Sequence, residues 1–193
     1  MNDKKDGRLP EIDTSHFECG FFSLSQSEQF LRDRPDFINL LHRLIIELQL
    51  EGQIERLKVK PDRCRAELYR EPENPWPSKR LCLEIYPDRY MDERLLRHEL
   101  GHEADRWNPK MLYDPAIEER WKLHWAFNLA ANISLDARLC DGGLGRDLRL
   151  KDFRSMLGED CESVFEEAWT NPPKTWPKIE ALASKLSVLR PQD

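Results

Sequence analysis

The sequence has no run of about 18 apolar residues, so no membrane-spanning helix is expected. It has no excess of basic residues either. Lys and Arg number 30 against 36 Asp and Glu, for a net charge of −6 and a pI near 5.5. Bulk electrostatics therefore disfavour nucleic acid as a partner. The five cysteines (Cys19, Cys64, Cys82, Cys140, Cys161) are odd in number, widely spaced and form no C-x-x-C pair. That excludes a disulfide framework and a cysteine zinc site, and leaves buried reduced thiols as the expectation. The opening MNDKKDGRLPEID has no apolar stretch after its basic pair. No secretory signal is expected, and a cytoplasmic location follows.

What is present suffices for a core: 39% of the 193 residues are hydrophobic and 34% are charged. Residues 1–13 read as loose. Phe30, Phe37, Leu40, Leu41, Leu44, Ile45 and Leu48 recur at helical spacing, with a break expected at Pro35 and a stop at Gly52. The period then changes to two. Three strands are expected, over 54–60, 64–70 and 79–86, forming a small, mostly antiparallel sheet around the proline-dense loop EPENPWPSK. A helix capped by Asp92 stops before Pro109, and a long helix runs over 116–140. Two more are expected, at 151–169 and 177–189, and the 141–193 stretch reads as a C-terminal helical part. With no linker in view, the expectation is one α+β domain spanning 1–193.

The chemistry lies in His98-Glu99-Leu100-Gly101-His102, an H-E-x-x-H motif. Residues four apart share a helix face, so His98 and His102 can direct two imidazoles at one ion, and Zn2+ suits such nitrogen ligands. Glu99 is then the catalytic candidate: a general base that takes a proton from a water whose pKa the ion has lowered. A chance occurrence in a chain of this composition has a probability of about one in a hundred, so context decides. The motif falls within an independently expected helix, directly after a strand, and Leu95 and Leu96 anchor it.

A third ligand must come from elsewhere. Asp105 shares a face with both histidines, but seven residues of helix rise about 10 Å. It is better suited to accept a hydrogen bond from His102 than to reach the ion beside His98. In WKLHWAFNLAANISLDARL, Asn128, Asn132 and Asp136 form one polar stripe on an otherwise apolar helix, expensive unless satisfied. Asp136 is the one that ionises and is the first choice for third ligand, with Asn132 orienting a ligand or the water. Glu118, Glu119 and His124 are weaker candidates, and Tyr113 or His124 would serve the oxyanion. Trp107 and Trp121 would wall a cleft. The Asp141–Gly145 glycines read as a helix end and flexible turn, with a mobile lid as an extension of that idea.

HELGH followed by a helix bearing a metal-binding acid resembles the zincin metallopeptidases, in particular compact gluzincin-like ones. FNLAANISLDARL (127–139) is similar to the second helix of metallopeptidases found next to von Willebrand A-type domains, with Asn132 and Asp136 in swapped order. HELGH itself is similar to the motif of ImmA/IrrE-like peptidases. The resemblance covers about residues 54–140. It implies a zincin-like fold, a peptide or protein substrate, and strand 79–86 as the edge that binds it. Two departures count. The stripe carries no glutamate where a gluzincin places its third ligand, and Asp105 stands where a metzincin needs glycine. The competing expectation is a binding or regulatory module in which a metal only staples two helices. A metal-free member of a larger assembly is a further one; the sequence names no partner protein.

Overall fold

The structure, a computed structural model, describes residues 8–15, 24–62, 66–73, 75–121 and 124–189. His16, Cys19 and Cys64 lie outside them. The chain is α+β, with seven α-helices and a four-stranded mixed sheet among the described residues. It forms two compact units, Met1–Trp107 and Asn108–Asp193. The boundary falls at the helix end before Pro109, where no linker composition marks it.

The first unit contains β1 (Glu11–Asp13), α1 (Leu24–Glu47), β2 (Arg56–Pro61), β3 (Glu67–Tyr69), β4 (Arg80–Ile85) and α2 (Glu93–Trp107). Strand order is β1-β2-β4-β3. β1 pairs parallel with β2, β2 parallel with β4, and only β3 runs antiparallel, placing Leu68 opposite Leu83. This corrects three expectations. The sheet is mixed rather than mostly antiparallel. The 79–86 strand lies inside it, and β3 is the edge. The supposedly loose N-terminus contributes β1. Period-two alternation reports which face is buried but not which way a strand runs. Direction follows from the connections, and a helix as long as α1 between β1 and β2 brings the chain back parallel.

Leu57, Val59, Leu68, Leu81, Leu83 and Ile85 are buried in the sheet, alternating with Lys58, Lys60, Tyr69 and Glu84. α1 is continuous through Pro35, where a break was expected. The proline removes one hydrogen bond, at a cost of about 3 kcal/mol. The flanking turns are pinned from outside: Tyr90 packs edge-on against Phe30 and Phe37 at 5.2 and 5.8 Å, and its hydroxyl donates to Asp33 at 2.6 Å. α1 ends on a left-handed Gln49 (φ 58°), with Leu50 N–H donating to Ile45 and Gln49 N–H to Ile46, before Gly52 is reached. α1 packs on α2, joined by Arg97 donating to Glu47 and by Arg43 donating to Glu93.

The second unit holds α3 (Pro115–Arg120), α4 (Trp125–Leu139), α5 (Arg146–Leu157), α6 (Glu162–Thr170) and α7 (Trp176–Ser187). The single helix expected over 116–140 is therefore two. His124 caps α4, its ring Nδ1 accepting from Ala126 N–H at 3.3 Å. The helix expected over 151–169 is split at Gly158, whose φ of +81° disfavours a side chain. α4 packs on α7, and Phe127, Ile133, Phe153, Phe165, Trp176 and Ile179 belong to this unit's core. Cys82 and Cys161 are buried free thiols, as expected; Cys140 is a free thiol but exposed.

Asp92 caps α2 as read from the sequence, accepting from Leu95 N–H at 3.1 Å and from Arg89 at 2.6 Å. Burial pushes its carboxyl up, but Arg89 and the helix N–H groups outweigh that and hold it below the usual aspartate range. Stability from this carboxylate is thus present above the unfolded-state pKa and is lost as pH falls through the lower folded value. Asp92→Ala is expected to lower unfolding free energy by about 1 kcal/mol at pH 7. The difference from wild type should shrink as the pH of the denaturant melts falls below about 4. A pH-independent difference would contradict the assignment.

Candidate metal centre

α2 carries the motif on a well-anchored frame. Leu95, Leu96 and Leu100 are buried, and the polar residues occupy the remaining face. His98 is 3% exposed and His102 is half-buried. Their rings lie 4.7 Å apart at 83°, and the two Nε2 atoms approach to 3.2 Å. Two nitrogens bound to one tetrahedral zinc, each about 2.0–2.1 Å from it, lie about 3.3 Å apart. The pair therefore fits two corners of such a site. The same separation also suits one ring donating its N–H to the other.

Glu99 turns to the sheet, where its Oε2 accepts from Leu68 N–H of β3 at 3.2 Å. One turn further along α2, Glu103 is fully buried. The Arg70 guanidinium grips it with both Nη atoms, one at 3.0 Å; Trp107 Nε1 donates at 2.5 Å and Arg106 at 3.4 Å. Arg70 Nε donates to Ser78 O at 2.8 Å, and its guanidinium lies 4.7 Å from the Trp76 ring centre. Trp107, expected as a cleft wall, packs against Trp76 with ring centres 4.6 Å apart and the planes tilted by 45°. The sequence reading missed Glu103 and Arg70, and the one available signal was a carboxylate among the buried positions of α2. Asp105 is also buried on this helix.

Among the described residues, no group of three or more His, Cys, Asp or Glu is arranged to hold a metal. Asp136 belongs to the second unit and is fully buried there. Arg149 Nε donates to its Oδ2, and Leu144 N–H to its Oδ1 at 3.1 Å. A Cβ at Gly143 would stand 2.6 Å from Oδ1. The Asp141–Gly145 turn is thus fastened to Asp136, an arrangement unsuited to a lid. Of the rest of the stripe, Asn132 is half-buried and Asn128 exposed. Tyr113 donates its hydroxyl to Glu118, Trp121 donates to Glu180 at 2.9 Å, and His124 stacks on Trp125. Glu119 lies on α3.

No family model, no curated protein and no solved structure matches the chain.

Asp136 and Arg149 pair where water barely reaches, and Asp152, half-exposed and accepting from Arg149 Nη1 at 2.8 Å, only partly replaces a lost Asp136 charge. Asp136→Asn is expected to destabilise the second unit by about 3–5 kcal/mol. Denaturant unfolding followed by tryptophan fluorescence measures this, and a loss below about 1 kcal/mol would show that the pair is not the unit's electrostatic anchor.

Proposed function

We propose that the chain is a zinc-dependent hydrolase with a zincin-like arrangement, acting on peptide bonds. One observation carries the reading: His98 and His102 hold their Nε2 atoms 3.2 Å apart while Glu99, between them in sequence, is directed to β3 instead. Two nitrogen donors converge, and the neighbouring carboxylate turns away from them. A purely structural site has no use for that acid.

When bound, zinc would supply Lewis-acid polarisation and a lowered pKa for water. His98 and His102 would hold it as neutral imidazoles. Asp105, buried three residues beyond His102, is the candidate acceptor for that ring's other nitrogen. Asp136, with Asn132 one turn earlier, belongs to the second unit and is held there by Arg149 and Leu144, so the two histidines are the protein ligands proposed. Glu99 takes the proton of the attacking water and returns it to the leaving amine. β3 is the sheet's edge, and its outward carbonyl groups suit an extended peptide or protein substrate, the Leu68 N–H being taken by Glu99. No helix among the described residues is long and apolar enough to cross a membrane. The free thiols agree with the proposed cytoplasmic setting.

Elemental analysis of untagged protein should find about one zinc per chain, and His98→Ala and His102→Ala should each abolish it. Glu99→Gln should keep the zinc and lower cleavage of a mixed library of extended fluorogenic peptides by about a hundredfold or more. Zinc retained in both histidine variants overturns the proposal. Zinc lost in Glu99→Gln would make Glu99 a ligand instead of a base.

A further inference from the structure

Glu103 has no role in the reaction just described, yet it is the most completely enclosed acid of α2. A buried carboxylate is expensive unless it is paired and hydrogen-bonded, and both Nη atoms of Arg70 are committed to it. What that investment fixes is the position of β3. Arg70 follows directly on the strand, and Leu68, two residues before Arg70, donates the N–H that holds Glu99. Glu99 and Glu103 are four residues apart on α2 and face the same segment. Four helical residues rise about 6 Å, and two strand residues span about 6.6 Å. The two carboxylates therefore meet the edge strand at matching intervals, one at a backbone N–H and one at a guanidinium.

Leu68 directs its N–H to Glu99, so this group is not part of the ladder to β4 and faces the free side of the edge. Nothing in the sheet's own pairing keeps it there. On its β4 side the short strand is held by three pairs, and beyond its end the buried Arg70–Glu103 ion pair joins it to α2. Trp76 lies against the Arg70 guanidinium, and Trp107, packed against Trp76, donates to Glu103.

We propose that Glu103 is a positioning residue: by gripping Arg70 it holds β3 where Leu68 N–H aims the Glu99 carboxylate. The catalytic consequence rests on the hydrolase reading above, whereas the latch itself does not. With the grip lost, the edge strand moves off α2, Leu68 N–H parts from Glu99, and the base samples rotamers in which it no longer faces the reacting water. Zinc content is unaffected, because neither imidazole depends on Arg70.

The test is residue-resolved amide exchange on the full chain, for wild type, Glu99→Ala, Glu103→Gln and Arg70→Lys. Leu68 N–H should exchange about tenfold faster or more in Glu103→Gln, approaching its rate in Glu99→Ala, while Leu57 and Leu83 inside the sheet change less than about twofold. Arg70→Lys keeps the cation but not the fork. It should give the same selective loss in smaller measure, and it decides the matter should Glu103→Gln fail to fold. Unchanged Leu68 protection in the folded variants overturns the proposal. So does acceleration of Leu57 and Leu83 in step with Leu68, which would make Glu103 a general stabiliser. On zinc-loaded protein, Glu103→Gln should lower kcat for an extended fluorogenic peptide about tenfold, with KM and zinc content within about twofold of wild type. Absence of cleavage by wild type itself would count against the hydrolase and leave the exchange result to judge the latch.

Discussion

Two imidazole nitrogens 3.2 Å apart on one helix face are the constraint around which the first unit is built. Such a pair needs a helix that neither frays nor rotates, because a change of a few tenths of an ångström decides whether both rings serve one ion. α2 meets that demand at several points. Asp92 closes its N-terminus, Leu95, Leu96 and Leu100 seat one side, Arg97 ties it to α1, and Glu103 ties it to the segment after β3. Each contact is ordinary by itself, and together they leave the motif face little freedom.

The polar side of α2 is unusual in how much of it is buried. His98, Glu99, Glu103 and Asp105 all lie below the surface. A helix that enclosed these groups without partners would be unstable. Glu99 and Glu103 answer the requirement differently. Glu103 is neutralised by a guanidinium and fixed. Glu99 accepts the Leu68 N–H at 3.2 Å, from a neutral backbone donor rather than a guanidinium. That difference separates an acid locked in an ion pair from one set against a backbone N–H.

The sequence made local features legible and long-range ones opaque. α2, its Asp92 cap and the His98/His102 spacing could be read because helical period and capping are set within a few residues. The α+β class was legible for the same reason. Strand direction was not, since β1 escaped notice and the parallel pairing depends on what α1 does between β1 and β2. Pro35 is a helix breaker locally, and only Tyr90, some 55 residues on, shows why it is tolerated. The Arg70–Glu103 pair joins residues 33 apart and has no signature in pattern or composition. Asp136 was recognised as an acid that an apolar helix could carry only with a partner. That the partner is Arg149, thirteen residues later, could not be read from the stripe.

The central claim is that His98 and His102 share a divalent ion. A crystal of the protein grown with zinc, with anomalous diffraction recorded on both sides of the zinc edge, tests it most directly. The account predicts one anomalous peak about 2.0–2.1 Å from both Nε2 atoms, with Glu99 outside the coordination shell and the remaining ligands identified in the same map. A map with no peak at the pair, and with one ring hydrogen-bonded directly to the other, would contradict it.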